Sequence, residues 1–481
     1  MISHTKTVIR GILPKSPFAR GVSVLVGGTA SAQILLVFAA PVLTRLYTPE
    51  DFGLLAVYAS LLALIGVISS LRYQLAIPLP EDDVEAANVA VLSLLLIFIT
   101  TALTAVFVIM FGTPIAELLG VPALANYLWL LPVGVLFSGA YTVLNYWSVR
   151  TKRYSILART KLTQALATLA IQLGTFKFGG IGLLLGQVAG QSVGTGSLAR
   201  PALAMSAFKH VSWDGVKMAA VRYRKFPIFS TWEGLSNTAG IQLPPIIFAA
   251  LFSPFAAGLY ALAHRVLQLP MSLVGAAIGQ VFFANAAEAH RAGQLSVLVE
   301  QLYSKLAHIG FPPALLLMLL GPDLFALVFG ENWRQAGDFA RWMAPWLYLV
   351  FVSSPLSTLF AVTEQQKQGL AFQLILLVSR VAAIGVGAWL DDLMLTIILF
   401  AGVSALCLLG FLFWVAHIAG NAPQTMIQPT LRAAGVAIFC AVPIFASLVM
   451  ADAFVNAWHY ALLLSLLLIA GRYWQLLRTA Y

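Results

Sequence analysis

The segment LYTPEDFGLLAVYASLLALIGVISSL (residues 46–71) decides the fold class of this chain. Thr48 and Pro49 supply a hydroxyl N-cap and a proline for the first helical position, which together start a helix after a tight turn. The apolar run that follows, 52–70, carries no charged side chain and has close to the ~20 residues that a helix needs to cross a bilayer. The segment therefore predicts a transmembrane helix.

Runs of the same kind fill the chain. Of its 481 residues, 60% are apolar and 10% are charged, and the mean hydropathy is +0.89, whereas soluble domains have roughly 45–50% apolar and about 25% charged residues. The sequence therefore predicts an all-α polytopic membrane protein with about fourteen transmembrane helices. The predicted spans are 21–44, 52–70, 86–110, 127–147, 156–176, 180–204, 227–252, 257–286, 306–329, 339–362, 368–389, 394–418, 431–450 and 454–470.

The net charge of +10 follows the predicted topology. With the N-terminus inside, 19 of the 28 lysines and arginines fall in inner segments and 4 in outer ones. Because basic residues collect in short cytoplasmic loops, this bias predicts cytoplasmic N- and C-termini. The excess positive charge needs no nucleic-acid partner to explain it.

An internal repeat relates the two halves of the chain. LYTPEDFGLLAVY (46–58) aligns with LFSPFAAGLYALA (251–263) at an offset of 205 residues. Six predicted spans separate the copies, so the halves share one membrane orientation, as in transporters built from parallel repeats. We therefore expect an N-terminal six-helix lobe (1–204), a cytoplasmic linker (205–226), a C-terminal six-helix lobe (227–418) and an additional C-terminal helix pair (419–481).

Three motifs resemble one known family: RLYTPEDFG (45–53), RYQLAI (72–77) and GLYALAHRVLQLPMSLVGAAIGQVFF (258–283). They are similar to the bacterial polysaccharide flippases, the Wzx-like O-antigen and exopolysaccharide transporters of the multidrug/oligosaccharidyl-lipid/polysaccharide exporter superfamily. The resemblance implies two lobes around a central cavity. It also implies translocation of an undecaprenyl-diphosphate-linked oligosaccharide from the cytoplasmic to the periplasmic leaflet of the bacterial inner membrane, for lipopolysaccharide O-antigen or exopolysaccharide biosynthesis.

The resemblance also implies partners and leaves one kinship open. Its partners would be the lipid-linked glycan, membrane lipids, a polysaccharide polymerase and a chain-length regulator. Many relatives have twelve helices rather than fourteen, and Gln74 stands where the family often carries a glutamate. The additional helix pair leaves open a closer kinship with the related lipid II flippases.

Two arginines are predicted near the bilayer midplane. Arg265 and Arg380 lie well inside their spans, where a charge is costly and normally faces a cavity or a partner. Because guanidinium can hold two phosphate oxygens at once, we expect both to bind the substrate diphosphate. The alternative is that each bonds a neighbouring helix and only stabilises its lobe.

The fifth span carries a polar stripe. Its spacing puts Lys161, Gln164, Thr168 and Gln172 on one helix face. Such a stripe, with Arg159 nearby, is predicted to line a hydrophilic cavity that holds glycan hydroxyls. For Arg159, snorkelling to the inner headgroups is an equally good interpretation.

Carboxylates are scarce in the predicted spans. Glu233, on the seventh span with Asn237 one turn later, is the candidate for H⁺ or Na⁺ coupling, and Asn237 is a candidate for lining the cavity. An exposed position of Glu233 at the inner mouth of the cavity is the alternative. We expect Glu50 and Asp51 to be structural, and the acidic run 81–85 to be a solvated inner loop.

Two other functions remain to be weighed. A membrane glycosyltransferase or ligase acting on lipid-linked sugars would use an outer-loop carboxylate such as Glu50 or Asp51, and a multidrug antiporter of the same superfamily would carry carboxylates in the N-terminal lobe. The sequence has no nucleophile–base set, metal cluster or phosphate-binding glycine loop, and Cys407 and Cys440 lie in apolar runs. We therefore expect no enzyme activity, no catalytic residue, no metal and no cofactor.

Overall fold

The structure, a computed structural model, describes residues 17–270, 276–422, 424–449 and 457–478. These residues form α-helices joined by short helical turns, and no strand occurs among them. Lys6, Arg10 and Lys15, which were counted on the inner side, lie outside the described ranges. The all-α fold class predicted from composition is confirmed.

The helices follow one another with short connections. The first half comprises α1 (Pro17–Leu46), α2 (Pro49–Ile68), α3 (Asp83–Leu118), α4 (Leu130–Arg150), α5 (Tyr154–Gly174), α6 (Gly180–Leu203) and α7 (Trp213–Arg222). The second comprises α8 (Thr231–Leu251), α9 (Pro254–Pro270), α10 (Ala276–Arg291), α11 (Leu295–Phe329), α12 (Arg334–Ser353), α13 (Leu359–Val362), α14 (Gln366–Trp389), α15 (Leu393–Ala419), α16 (Gln424–Val449) and α17 (Ala457–Arg478).

Seven of the described helices are long and apolar enough to cross a membrane, and a pair bent by 42° at Ser354 makes an eighth. As far as the chain is described, each of the fourteen predicted spans coincides with a helix or with consecutive helices. The span predicted at 257–286 is two helices, α9 and α10, on either side of the undescribed residues 271–275. The other predicted spans correspond to helices that are shorter or richer in glycine and polar residues. Most of the candidate site residues lie on these helices.

Both copies of the repeat start a helix in the same way. Helices α2 and α9 begin at Pro49 and Pro254, each directly after a hydroxyl residue. The Thr48 hydroxyl accepts a hydrogen bond from the Asp51 amide at 3.3 Å, and the Ser253 hydroxyl accepts one from the Ala256 amide at 3.2 Å. The Asp51 carboxylate in turn accepts from the Thr48 amide, which completes a capping box. The structural role predicted for Asp51 is confirmed.

Helix α8 packs along α2. The Ser60 hydroxyl of α2 donates to the Gln242 side-chain oxygen of α8 at 3.0 Å. This packing groups α8 and the first turns of α9 with the N-terminal helices, and the chain divides into two compact units, Met1–Ala261 and Leu262–Tyr481. The lobes expected at 1–204 and 227–418 remain a prediction based on the repeat.

Each unit has a buried apolar core. In the first, Trp147 of α4 packs edge-on against Phe208, with ring centroids 4.7 Å apart. In the second, the C-terminal helices α16 and α17 pack against α11 through Leu320, Ile444 and Leu462. Cys440 belongs to this core, and both cysteines are free thiols, as their apolar surroundings predict.

Candidate functional site

Arg265 lies about two thirds of the way along α9 and is a cation without a pairing partner among the described residues. It lies eleven residues after Pro254 on α9, about 16 Å from the helix start at 1.5 Å per residue. The residue is exposed, and no hydrogen bond or ion pair of its side chain is formed within the described ranges. A guanidinium left open at this depth is available to an anionic ligand.

Arg380 is held more firmly. Its Nε donates to the Ser404 hydroxyl of α15 at 2.9 Å, and that hydroxyl donates to the Phe400 carbonyl at 2.7 Å. The guanidinium carbon lies 4.9 Å from the ring centre of Trp346 and 5.6 Å from that of Phe400. These contacts fix the guanidinium between α12 and α15. Helix stabilisation therefore accounts for part of what Arg380 does, and diphosphate binding by it remains a prediction.

Trp346 joins the neighbourhoods of the two arginines. The His264 ring, on the residue before Arg265, stacks on Trp346 with centroids 5.9 Å apart and 21° between the planes. The same indole receives the Arg380 guanidinium and is 3% exposed. His264 also lies 3.0 Å from Gln268 through its Nε2. Trp346, Phe400 and Ser404 were missed by sequence reasoning, because nothing local in the sequence places them beside Arg380.

The polar stripe on α5 faces helix α6. The Gln172 side chain is buried and donates to the Leu183 carbonyl at 3.2 Å. Gln164 lies 3.5 Å from Gln191, the outer limit of a hydrogen bond. Lys161 lies over the Tyr141 ring at 5.0 Å, and Arg159 is exposed.

Glycines on α6 make room for this stripe. A methyl group at Gly186, Gly190 or Gly194 would overlap Gln172, Thr168 or Gln164, respectively. Small residues at four-residue spacing let membrane helices approach closely, and the spacing G-x-x-x-G-x-x-x-G (186–194) is visible in the sequence. The stripe thus serves helix packing at Gln172, and a role of Arg159, Lys161 and Gln164 in lining a cavity remains a prediction.

Glu233 and Asn237 are both exposed. Glu233 lies in the first turn of α8, where a carboxylate is favoured by the helix dipole. A short π-helical turn, Phe226–Ser230, leads into that helix. This position agrees with the interpretation of Glu233 as an exposed charge near the helix end, and coupling by Glu233 remains a prediction.

The acidic segment after α2 is exposed at Glu81, Asp82 and Asp83, as predicted, and Asp83 is in addition paired. Arg150 donates to the Asp83 carboxylate at 2.9 Å and to the backbone carbonyls of Ile77, Pro80 and Glu81. These contacts hold the loop between α2 and α3 against the end of α4.

Another carboxylate of the segment binds the linker helix. Glu85 accepts from Arg222 at 2.7 Å and from the Tyr223 hydroxyl at 2.9 Å. Burial, together with this hydrogen bond, raises the pKa of Tyr223. The linker predicted at 205–226 is therefore a folded segment that contains α7.

The turn before the acidic segment holds a second cation without an ion-pair partner in the described ranges, and sequence reasoning did not single it out as a site residue. Arg72 follows the C-terminus of α2 in a left-handed conformation, with φ of 63°. Its guanidinium lies against Gly234 of α8. Beside it, Gln74 is buried and its side-chain oxygen accepts from the Ser70 hydroxyl. The Gln74 amide thus has a neutral partner in the Ser70 hydroxyl.

Comparison with known proteins places these features in context. Residues 42–338, more than half of the chain, match the profile of the family described as polysaccharide biosynthesis protein. No curated protein sequence matches the chain.

Solved structures match over 82% or more of this chain. The lipid II flippase MurJ in an inward closed conformation aligns with a TM-score of 0.69 and 12% identity, over 96% of this chain and 99% of its own. A multidrug resistance MATE family transporter in an inward-facing conformation gives 0.58 and 14%, over 82% and 94%. A Vibrio cholerae MATE transporter gives 0.50 and 14%, over 85% and 97%. At these identities the likeness concerns the fold, which is that of transporters.

Proposed function

Because the chain belongs to the polysaccharide biosynthesis protein family, we propose that it moves an undecaprenyl-diphosphate-linked oligosaccharide across the bacterial inner membrane. The glycolipid passes from the cytoplasmic to the periplasmic leaflet and supplies O-antigen, lipopolysaccharide or exopolysaccharide biosynthesis. The observation that carries the proposal is Arg265, an exposed guanidinium well inside a helix of a multi-pass membrane protein, with no pairing partner among the described residues. A lipid diphosphate is the anion that matches its charge and its depth.

The diphosphate gives Arg265 a partner during translocation. A cation at this depth of the membrane with no counter-ion is unfavourable, so an anionic headgroup that reaches it is stabilised there more than in an apolar environment. Arg380 has a similar charge but a fixed position between Trp346 and Ser404. We assign Arg265 the primary contact with the diphosphate and Arg380 the supporting one.

The glycan hydroxyls would be bound by polar side chains of the spans. Arg159, Lys161, Gln164, Gln172 and Asn237 are the candidate contacts, of which Gln172 is bound within its lobe by Leu183. Membrane lipids surround the helices, and a polysaccharide polymerase and a chain-length regulator would act on the product. With both termini cytoplasmic, the 205–226 segment lies on the inner leaflet.

A multidrug antiporter is the second candidate, because MATE transporters share the fold. A cationic drug favours carboxylates in the binding cavity. Here the predicted spans of the N-terminal lobe have no acidic residue, and Arg265 and Arg380 are cations in the other half. An anionic substrate therefore agrees better with the charges of this chain.

Reconstitution into liposomes tests the proposal directly. Undecaprenyl-diphosphate-linked N-acetylglucosamine carrying a fluorophore on the sugar is placed in both leaflets, and dithionite then bleaches the outer leaflet. We expect the parent protein to make nearly all of the label accessible, and Arg265→Ala to leave about half protected, as in protein-free vesicles. Equal accessibility with the parent and with protein-free vesicles would reject this function.

A further inference from the structure

The turn that follows α2 presents a cation in a strained conformation. Leu71 and Arg72 both have positive φ, 47° and 63°, a region that non-glycine residues occupy at a cost of about 1 kcal/mol or more each. Such strain persists only where the surroundings require it, and it often marks a functional position. Here the two residues direct the Arg72 side chain onto the first turns of α8.

The Arg72 guanidinium is packed but unpaired. A methyl group on Gly234 would lie 2.9 Å from its Cζ and 3.0 Å from its Nε, so the absence of a side chain at 234 makes the room that it occupies. Its Nε is buried and has no hydrogen-bond partner. No ion pair of Arg72 is formed within the part of the chain that the structure describes.

An unpaired cation in this position indicates an external anion. Withdrawing a guanidinium from water is unfavourable unless a counter-ion or hydrogen-bond acceptors replace the water. Glu233, the neighbour of Gly234, is exposed and makes no ion pair among the described residues. The described residues therefore supply neither a counter-ion for Arg72 nor an acceptor for its Nε.

The depth of Arg72 selects the kind of anion. Helix α2 has 20 residues, which at 1.5 Å per residue span about 30 Å, the thickness of the hydrocarbon core. Arg72 comes four residues after its end, at the level of the lipid headgroups. Arg224 and Lys225, both exposed, directly precede the π-helical turn that leads to α8 and add positive charge nearby. Phosphate is the anionic group found at this level of a membrane.

We propose that Arg72, seated on Gly234, is a binding site for a lipid phosphate at the cytoplasmic end of α2 and α8. It receives the diphosphate of the lipid-linked glycan before that headgroup moves to Arg265. This assignment rests on the proposed function for the identity of the lipid, whereas the phosphate site itself follows from the geometry of Arg72. A bulk anionic phospholipid has the same chemistry, so the test compares the two sources.

The test measures lipid binding to purified protein in detergent by native mass spectrometry, with undecaprenyl diphosphate and phosphatidylglycerol as probes. Arg72→Gln removes the charge. Gly234→Ala keeps the charge but moves the guanidinium, and the fold tolerates it because the displaced atoms end a flexible side chain. Gly240→Ala on the same helix is the matched control, since nothing lies within 4 Å of a methyl group there.

We expect Arg72→Gln to weaken undecaprenyl diphosphate binding about tenfold or more, since a hydrogen bond to a charged group is worth about that factor. Gly234→Ala should weaken it in the same direction, and Gly240→Ala should not change it. A loss confined to phosphatidylglycerol would overturn the reception of the carried lipid and assign the site to bulk lipid. Parent-like binding of both lipids by both variants would overturn the site, as would a parent protein that binds neither lipid.

The result of this binding test can be distinguished from the result of the transport test of the proposed function. If the parent fails to move the lipid-linked sugar in vesicles but binds undecaprenyl diphosphate through Arg72, the function is wrong and the phosphate site stands. If the parent moves the sugar and Arg72→Gln moves it at the parental rate with unchanged binding, the function stands and the site is wrong.

Discussion

Gly53 and Gly258 occupy equivalent positions in the two copies of the repeat, and each packs against the proline of the other copy. A methyl group on Gly53 would overlap the carbonyl oxygen of Pro254, and one on Gly258 would overlap the carbonyl oxygen of Pro49. The contact is thus reciprocal, as a pseudo-two-fold relation between the copies requires. It brings the first turns of α2 and α9 together backbone to backbone.

Alanine at either glycine should therefore destabilise the protein. Because the overlapping atoms belong to the backbone, they cannot move aside, and we expect Gly53→Ala and Gly258→Ala each to cost about 1–3 kcal/mol. Thermal denaturation in detergent measures the effect as a lower melting temperature. Gly66→Ala, on the same helix as Gly53 and with open space around it, is the control. Equal melting temperatures for all three variants would contradict the close contact.

Alanine variants of the two candidate arginines should both lose transport activity but should differ in thermal stability. Arg265→Ala should abolish transport and leave the melting temperature unchanged, since its side chain forms no hydrogen bond or ion pair with the described residues. Arg380→Ala should reduce transport and also lower the melting temperature, because Trp346, Phe400 and Ser404 lose their partner.

Conservative variants sharpen this comparison. Arg265→Lys should keep part of the transport activity, because the charge remains and only the two-point contact with phosphate is lost. Ser404→Ala should shift the melting temperature in the same direction as Arg380→Ala but by less. Parental transport by both Arg265→Ala and Arg380→Ala would show that neither arginine binds the substrate.

Local signals account for what the sequence could predict. The helix starts at Pro49 and Pro254 follow from a hydroxyl residue and a proline next to an apolar run, and both can be seen without any tertiary information. The depth of Arg265 follows from counting residues along one helix. These features depend only on neighbours in the chain.

Contacts between helices explain the rest. Arg380 and Ser404 are on different helices, and Arg72 and Gly234 are separated by more than a hundred residues. Hydropathy places each helix in the membrane but does not fix its rotation or its neighbour. The polar face of α5 was predicted, whereas the glycine face of α6 that covers it, although visible as a four-residue repeat, was not connected with it.

The inner loop between α2 and α3 should depend on one side chain. The Arg150 side chain is 10% exposed and binds three backbone carbonyls as well as Asp83. Arg150→Ala leaves these acceptors unpaired, so we expect a loss of about 1–3 kcal/mol of stability. Arg150→Lys should recover only part, because one ammonium group cannot reach all four acceptors. The exposed Lys209→Ala serves as the control, and a melting temperature of Arg150→Ala equal to that control would be inconsistent with this role.

The proposed topology has an accessible reporter on α7. Met218 is 66% exposed on that helix, within the segment expected on the cytoplasmic side. In a background with Cys407→Ala and Cys440→Ala, a cysteine at Met218 should resist a membrane-impermeant maleimide in intact cells and react after the inner membrane is opened. Labelling of Met218→Cys in cells with a permeable outer membrane and a closed inner membrane would reverse the orientation.

Coupling to an ion gradient is expected to involve Glu233. It is the acid that the sequence places in the unbroken part of a predicted span, and the structure exposes it on the first turn of α8. Moving a dianionic headgroup requires a driving step or a compensating cation, and a carboxylate at the end of the path can bind H⁺ or Na⁺.

Glu233→Gln keeps the shape and removes the charge. We expect it to reduce gradient-stimulated transport in proteoliposomes while leaving undecaprenyl diphosphate binding intact. Asp214→Asn, which removes an exposed charge from α7, is the matched control and should respond to the gradient as the parent does. If Glu233→Gln is stimulated by an imposed proton or sodium gradient to the parental extent, Glu233 is only a surface charge and another group carries the coupling.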